Sequence, residues 1–178
     1  FRHGYQIHPD AVASVRGSRA GEMIARCIVE CGTSSFYSSL RDGNREPVLK
    51  QIAELIARDE FHHYRLFHAG YERYAPQDRI GLLKRLWIAV GRVSESDDDE
   101  LAYAYWSANV APTGQPYERA ACFRAQQRSA LRAYRREHVR RAVHMVARAV
   151  GLDPTGLVAR SAAAIAWRLT RRRGALAT

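Results

Sequence analysis

Four strong helix-breaking signals punctuate residues 18–151 of this chain, and most of the sequence between them favours a helix. The breaks are Arg41-Asp42-Gly43-Asn44, Pro76, the run Ala111-Pro112-Thr113-Gly114-Gln115-Pro116, and Gly151. Gly, Asn and Pro end helices because they favour left-handed or fixed backbone angles or lack the amide donor. Strand signals are nearly absent, and Ala, Arg, Leu and Glu fill the stretches between the breaks. The pattern predicts helices over about 18–40 and 47–74, a short apolar helix over 80–93, a helix ending near 110, a long one over 117–150, and a last one over 154–173. Pro47 suits a first helical turn. The run Ser94-Glu95-Ser96-Asp97-Asp98-Asp99 reads as the cap of the fourth helix, because acidic side chains stabilise a helix start.

This order is two helical hairpins joined by a longer connection that carries its own short helix. It predicts an all-α chain: a four-helix bundle with one crossover over 18–150, plus an extra C-terminal helix over 154–173. Residues 1–16, with Gly4 and the His8-Pro9 step, read as an irregular lead-in to a single domain spanning 1–178. At 178 residues the chain is long enough for one domain with a real core.

On the second helix, Leu49, Ile52, Ile56, Glu60, His63 and Phe67 follow one another at three or four residues, which puts them on one face. Glu60 and His63 are therefore expected in the core, where a lone carboxylate would cost several kcal/mol and a cation would cancel that cost. His62 is turned roughly 100° away. On the first helix, Glu30 shares a face with Met23, Cys27, Ser34 and Tyr37. Glu30 and Glu60 lie 14 and 16 residues on either side of Asn44, so an antiparallel hairpin brings them level to within about a turn. On the long fifth helix, His138 shares a stripe with Leu131, Tyr134, Ala142 and Met145. His144 falls with Glu137, Arg141 and Arg148 on what reads as a solvated face. The fourth helix offers Glu100, with Asp98 and Asp99 as alternatives that suit a cap better.

Glu30, Glu60-x-x-His63, a crossover, then Glu100 and His138 resemble the ferritin-like di-iron carboxylate superfamily. That superfamily includes acyl-carrier-protein desaturases, ribonucleotide reductase small subunits and rubrerythrins. The segments Val29-Glu30-Cys31-Gly32-Thr33-Ser34, Asp59-Glu60-Phe61-His62-His63-Tyr64 and Asp99-Glu100-Leu101-Ala102-Tyr103-Ala104-Tyr105 are similar to small bacterial ferritin-like domain proteins. The resemblance spans about 18–150. It implies that Glu30, Glu60, His63, Glu100 and His138 hold two iron ions, with manganese or a mixed pair as alternatives. It further implies an oxygen-activating oxidoreductase that hydroxylates, desaturates or N-oxygenates a hydrophobic substrate, such as a carrier-bound acyl chain. The second half departs from the family pattern. Arg135 stands where the family has Glu, and Glu137 cannot share a face with His138. Glu100 and His138 lie 14 and 24 residues from Gly114, a mismatch of about 15 Å of helix. A mononuclear site centred on Glu30, Glu60 and His63 therefore stays open. Tyr37, Tyr64, Tyr103 and Tyr134 fall near the expected ligands by helical spacing, and read mainly as core aromatics.

With 28 Lys and Arg against 18 Asp and Glu, the chain carries a net charge of +10. That charge favours anionic partners, such as an acidic carrier protein or an anionic membrane surface. Arginines spread round the helices argue against a specific nucleic-acid surface, which should concentrate them. The alternative functions are a non-catalytic metal-binding bundle and a metal-free basic adaptor using Arg171, Arg172 and Arg173 with the arginines of the fifth helix. A homodimer is compatible with each. Three cysteines, Cys27, Cys31 and Cys122, argue against a disulfide framework and for a reducing, cytoplasmic setting. No apolar run reaches the roughly 20 residues of a membrane span, so any membrane association is expected to be peripheral. The sequence opens on Phe1 rather than Met, so the natural chain is expected to extend upstream, and no signal peptide is legible.

Overall fold

The computed structural model of the chain describes residues 16–94 and 99–175; for Ser94, Asp99, Glu100 and Ala175 it describes the backbone alone. The described residues form seven α-helices and no strand. They are α1 (Arg19–Gly43), α2 (Pro47–Tyr74), α3 (Leu82–Ser94), α4 (Asp99–Asn109), α5 (Arg119–Arg132), α6 (Arg136–Ala149) and α7 (Leu157–Ala175), with a 3-10 turn at Ala111–Thr113. The all-α expectation holds. Among the described residues, no helix is long and apolar enough to cross a membrane.

The first hairpin is set by its caps. The Ser18 hydroxyl accepts the Gly21 backbone N–H at 3.0 Å, filling one of the free donors of the first turn of α1. Glu46 does the same for α2, accepting from Val48 at 3.1 Å and Leu49 at 2.6 Å, with Pro47 in the first turn. The loop after α2 is stapled to the start of α1, where Ala20 N–H donates to Asp78 Oδ2 at 3.1 Å.

Two contacts fix the hairpin register. Cys27 Sγ approaches the Tyr64 carbonyl, and Ser34 Oγ donates to the Ala57 carbonyl at 3.2 Å. A step of seven residues forward along α1 is thus a step of seven back along α2, which sets the helices antiparallel. Small residues let α1 approach its neighbours closely. Ser34, Ser35, Ser38 and Ser39 are all buried on α1, and each hydroxyl donates to a carbonyl, so no polar group is left stranded.

Beyond α2, helix α1 packs on α6 and α3; α4 packs on α5, and α7 on α6 and α5. The core gathers Ile24, Cys27, Ile28 and Cys31 from α1, Tyr64 from α2, Ile88 from α3, and Met145 and Ala149 from α6. Burial of each large side chain is worth roughly 1.5–3 kcal/mol. Tyr64 Oη donates to the Met145 carbonyl at 2.9 Å, which removes the cost of burying its hydroxyl. The thiols are free and buried, and burial pushes Cys27 up to about 12, so it is an uncharged part of the core.

Two expectations are corrected. The long helix expected over 117–150 is two helices, α5 and α6, separated at Ala133, Tyr134 and Arg135. No Gly or Pro marks the break. It is held by tertiary contacts: Gly43, at the end of α1, lies so close that a Cβ there would meet Ala133 Cβ at 3.0 Å. Second, the buried stripe of α2 is Ala53, Ala57 and Tyr64 rather than the expected one. Ile52 is 47% exposed, so the helix is rotated away from the phase that its larger apolar residues suggest.

Candidate metal centre

The hairpin register places Glu30 of α1 opposite Glu60 of α2, and His63 follows one turn later. His63 Nδ1 lies 3.4 Å from Glu60 Oε2 and 4.0 Å from Glu30 Oε2. One ligand atom from each of the three residues falls within 4.8 Å of the others. The side chains of Glu30 and Glu60 are mostly covered, whereas that of His63 is 55% exposed. The cluster therefore sits in the outer groove between α1 and α2, not in the core, and His63 leaves it open to water. That placement corrects the expectation of a core-facing His63.

The two carboxylates are coupled. Burial, and then the hydrogen bond and charge of Glu60, push the Glu30 carboxyl up to about 7. The hydrogen bond from Glu30 holds Glu60 below the usual carboxylate range, with His63 helping. One proton is thus shared between two carboxylates that would otherwise repel. The Thr33 hydroxyl favours the charged form of both. A divalent cation would neutralise the same repulsion. Two carboxylates and an imidazole are a hard donor set suited to iron or manganese. The residues present fit one such ion, with coordination positions left over.

The remaining expected ligands do not join this cluster. His138 is buried at the start of α6, and its ring is committed at both nitrogens. Nδ1 accepts the Arg135 backbone N–H at 3.0 Å, so the proton lies on Nε2, which donates to Asp42 Oδ2 at 2.9 Å. Asp42 stands 12 residues beyond Glu30 on α1, about 18 Å along the helix. The structure therefore does not bring His138 to Glu30. Glu137, expected outside the ligand set, lies with Asp42 and His138 in a second carboxylate–histidine group. Glu100 belongs to the first turn of α4, and its side chain lies outside the described residues.

Of the aromatics, Tyr64 is a core hydrogen-bond donor, Tyr103 packs on Trp106 and Tyr117, and Tyr134 packs edge-on against His138. Tyr37 packs against Phe36. Asp42 was hidden in the sequence by its place in a turn cluster, where an acidic residue is ordinary. Thr33 carries no signal beyond its spacing of three from Glu30. Comparison with protein-family models, with curated proteins and with solved structures finds no match.

Proposed function

We propose that the α1/α2 groove binds iron, or manganese in its place, through Glu30, Glu60 and His63, and that the protein is a metal-dependent oxidoreductase of ferritin-like design. The observation that carries this reading is the convergence of two coupled carboxylates and an imidazole from facing helices. The Glu-x-x-His spacing supplies the reason: residues three apart on one helix project to the same side and can grip one ion. The ferritin-like layout is supported by the α1/α2 hairpin and the connection through α3; against α1 pack α6 and α3, while α4 pairs with α5. It departs from the usual design in the division of the last helix into α5 and α6.

Glu30 and Glu60 would hold the ion from facing helices, and His63 would close the set from the solvent side. Bound iron with unfilled positions would supply oxygen activation. The proton that Glu30 and Glu60 share would be displaced as the ion binds. A second reading, metal binding without catalysis, is favoured by one observation: the exposure of His63 opens the groove to water.

Elemental analysis of protein from iron- and manganese-supplemented cells tests the site. About one ion per chain is expected, and a stoichiometry near zero with full helicity would overturn it. Exposing the anaerobically reduced iron form to oxygen separates the readings. An ultraviolet-visible change coupled to oxidation of an added hydrophobic substrate supports the oxidoreductase, whereas uptake of iron without substrate oxidation supports the second.

A further inference from the structure

The side of α2 that bears Phe61 and Tyr64 forms, with α6 and the turn before α7, a cavity of about 630 Å3. Four guanidinium groups line it, from Arg65, Arg140, Arg141 and Arg148, against the single carboxylate of Glu137. A second cavity of about 500 Å3 adjoins it through Arg140 and His144, and adds Arg136 and Arg160 with no carboxylate. Six arginines and one glutamate leave an excess of five positive charges here, half of the net +10 of the chain. No ion pair joins Arg65, Arg140, Arg141 or Arg148 to a carboxylate among the described residues. The arginines that look dispersed along the sequence are therefore concentrated by the fold on one concave surface.

Such a concentration creates a positive potential that attracts an anion. The walls also select the anion. The Arg141 guanidinium lies 5.3 Å from the centre of the Phe61 ring, which draws it toward that wall. Phe61 and Tyr64 stack with their planes 9° apart, and Met145 and Pro154 add apolar wall. Guanidinium forks match phosphate oxygens two at a time, so four of them exceed the need of a single phosphate. The volume lies within the range of small-molecule sites, and a concave pocket differs from the extended stripe that a nucleic-acid backbone requires.

We propose that this cavity binds a small molecule in which a diphosphate is joined to a flat, apolar body, the class of nucleoside diphosphates. The diphosphate sits among Arg65, Arg140, Arg141 and Arg148, and the flat body lies against Phe61. The site is on the opposite flank of α2 from Glu30, Glu60 and His63 and does not depend on a metal there.

Isothermal titration with adenosine diphosphate and with inorganic pyrophosphate, at physiological ionic strength, tests this. Saturable 1:1 binding of adenosine diphosphate is expected, with pyrophosphate about tenfold weaker for want of the ring contact. Arg141→Ala and Arg65→Ala should each weaken binding by about tenfold or more, from loss of charge-assisted hydrogen bonds. Arg171→Ala, on α7 away from the cavity, should leave it unchanged. Helicity by circular dichroism checks that the exposed arginines are removed without unfolding. Phosphate held by a metal at Glu60 would not respond to Arg141→Ala, so the two sites are told apart. Absence of saturable binding, or an equal loss in Arg171→Ala, would overturn the proposal. A single-stranded oligonucleotide that binds more tightly than adenosine diphosphate, and is weakened by the same substitutions, would overturn it in favour of nucleic acid.

Discussion

His138 Nε2 donates to Asp42 Oδ2 at 2.9 Å, a contact that helps tie the end of α1 to the start of α6. The other ring nitrogen caps α6 by accepting the Arg135 backbone N–H. Arg135 completes the joint by donating from its guanidinium to the Asp42 carbonyl at 2.8 Å. A histidine that shares a stripe with core residues is here the fastening of a helix break.

His138→Ala should therefore destabilise the fold and spare the metal. The loss of a cap costs about 1 kcal/mol. The loss of a buried hydrogen bond to a charged group costs about 1.5–3 kcal/mol. A total of about 2.5–4 kcal/mol is expected by denaturant unfolding, with metal content unchanged. Loss of metal at unchanged stability would show that His138 is a ligand after all.

The same joint sets an acid limit. The Arg41 guanidinium, first, and His138, next, hold the Asp42 carboxyl down to about 2. In the unfolded chain it titrates near its ordinary value of about 3.9. Its stabilisation is thus fully present above about pH 4 and is lost as pH falls toward 2. Unfolding curves across that window should be steeper in pH for the native protein than for Asp42→Asn. Parallel curves would remove Asp42 from the joint.

Glu30 acts in the opposite sense in metal-free protein. Its carboxyl titrates near 7 when folded, against about 4.3 when unfolded. The folded state binds the extra proton, so this group favours the fold below about pH 4 and loses that advantage as pH rises through 7. Metal-free protein should be less stable at pH 8 than at pH 5, and Glu30→Gln should flatten that difference. A slope unchanged by Glu30→Gln would show that Glu30 and Glu60 are not coupled.

The ligand set predicts a pattern among the histidines. Glu60→Ala and His63→Ala should each weaken metal binding by at least about tenfold, since even partners outside the ligand set cost that much. His62→Ala and His144→Ala should retain the metal, because His62 is exposed beside the groove and His144 lines the arginine cavity. Metal content of the four variants checks this. Equal losses in all four would place the ion elsewhere.

What the sequence determined by itself is local. The helix ends at Ser18, Pro47 and Gly151 were legible because caps and breakers act within a few residues of themselves. So was the pairing of Glu30 with Glu60 and His63, since a short hairpin turn fixes which residues of two helices stand level. The tertiary structure decided the rest. Ala53 and Ala57, rather than Ile52, face α1, because close helix packing selects small side chains and apolar periodicity does not register them. The break at Ala133 depends on α1 lying against it, so no local residue announces it. His138 meets Asp42, and Arg65 joins the arginines of α6, only once distant segments are packed together. Contacts between residues far apart in sequence are set by which helix faces are buried together, and the spacing of a single helix does not contain that information.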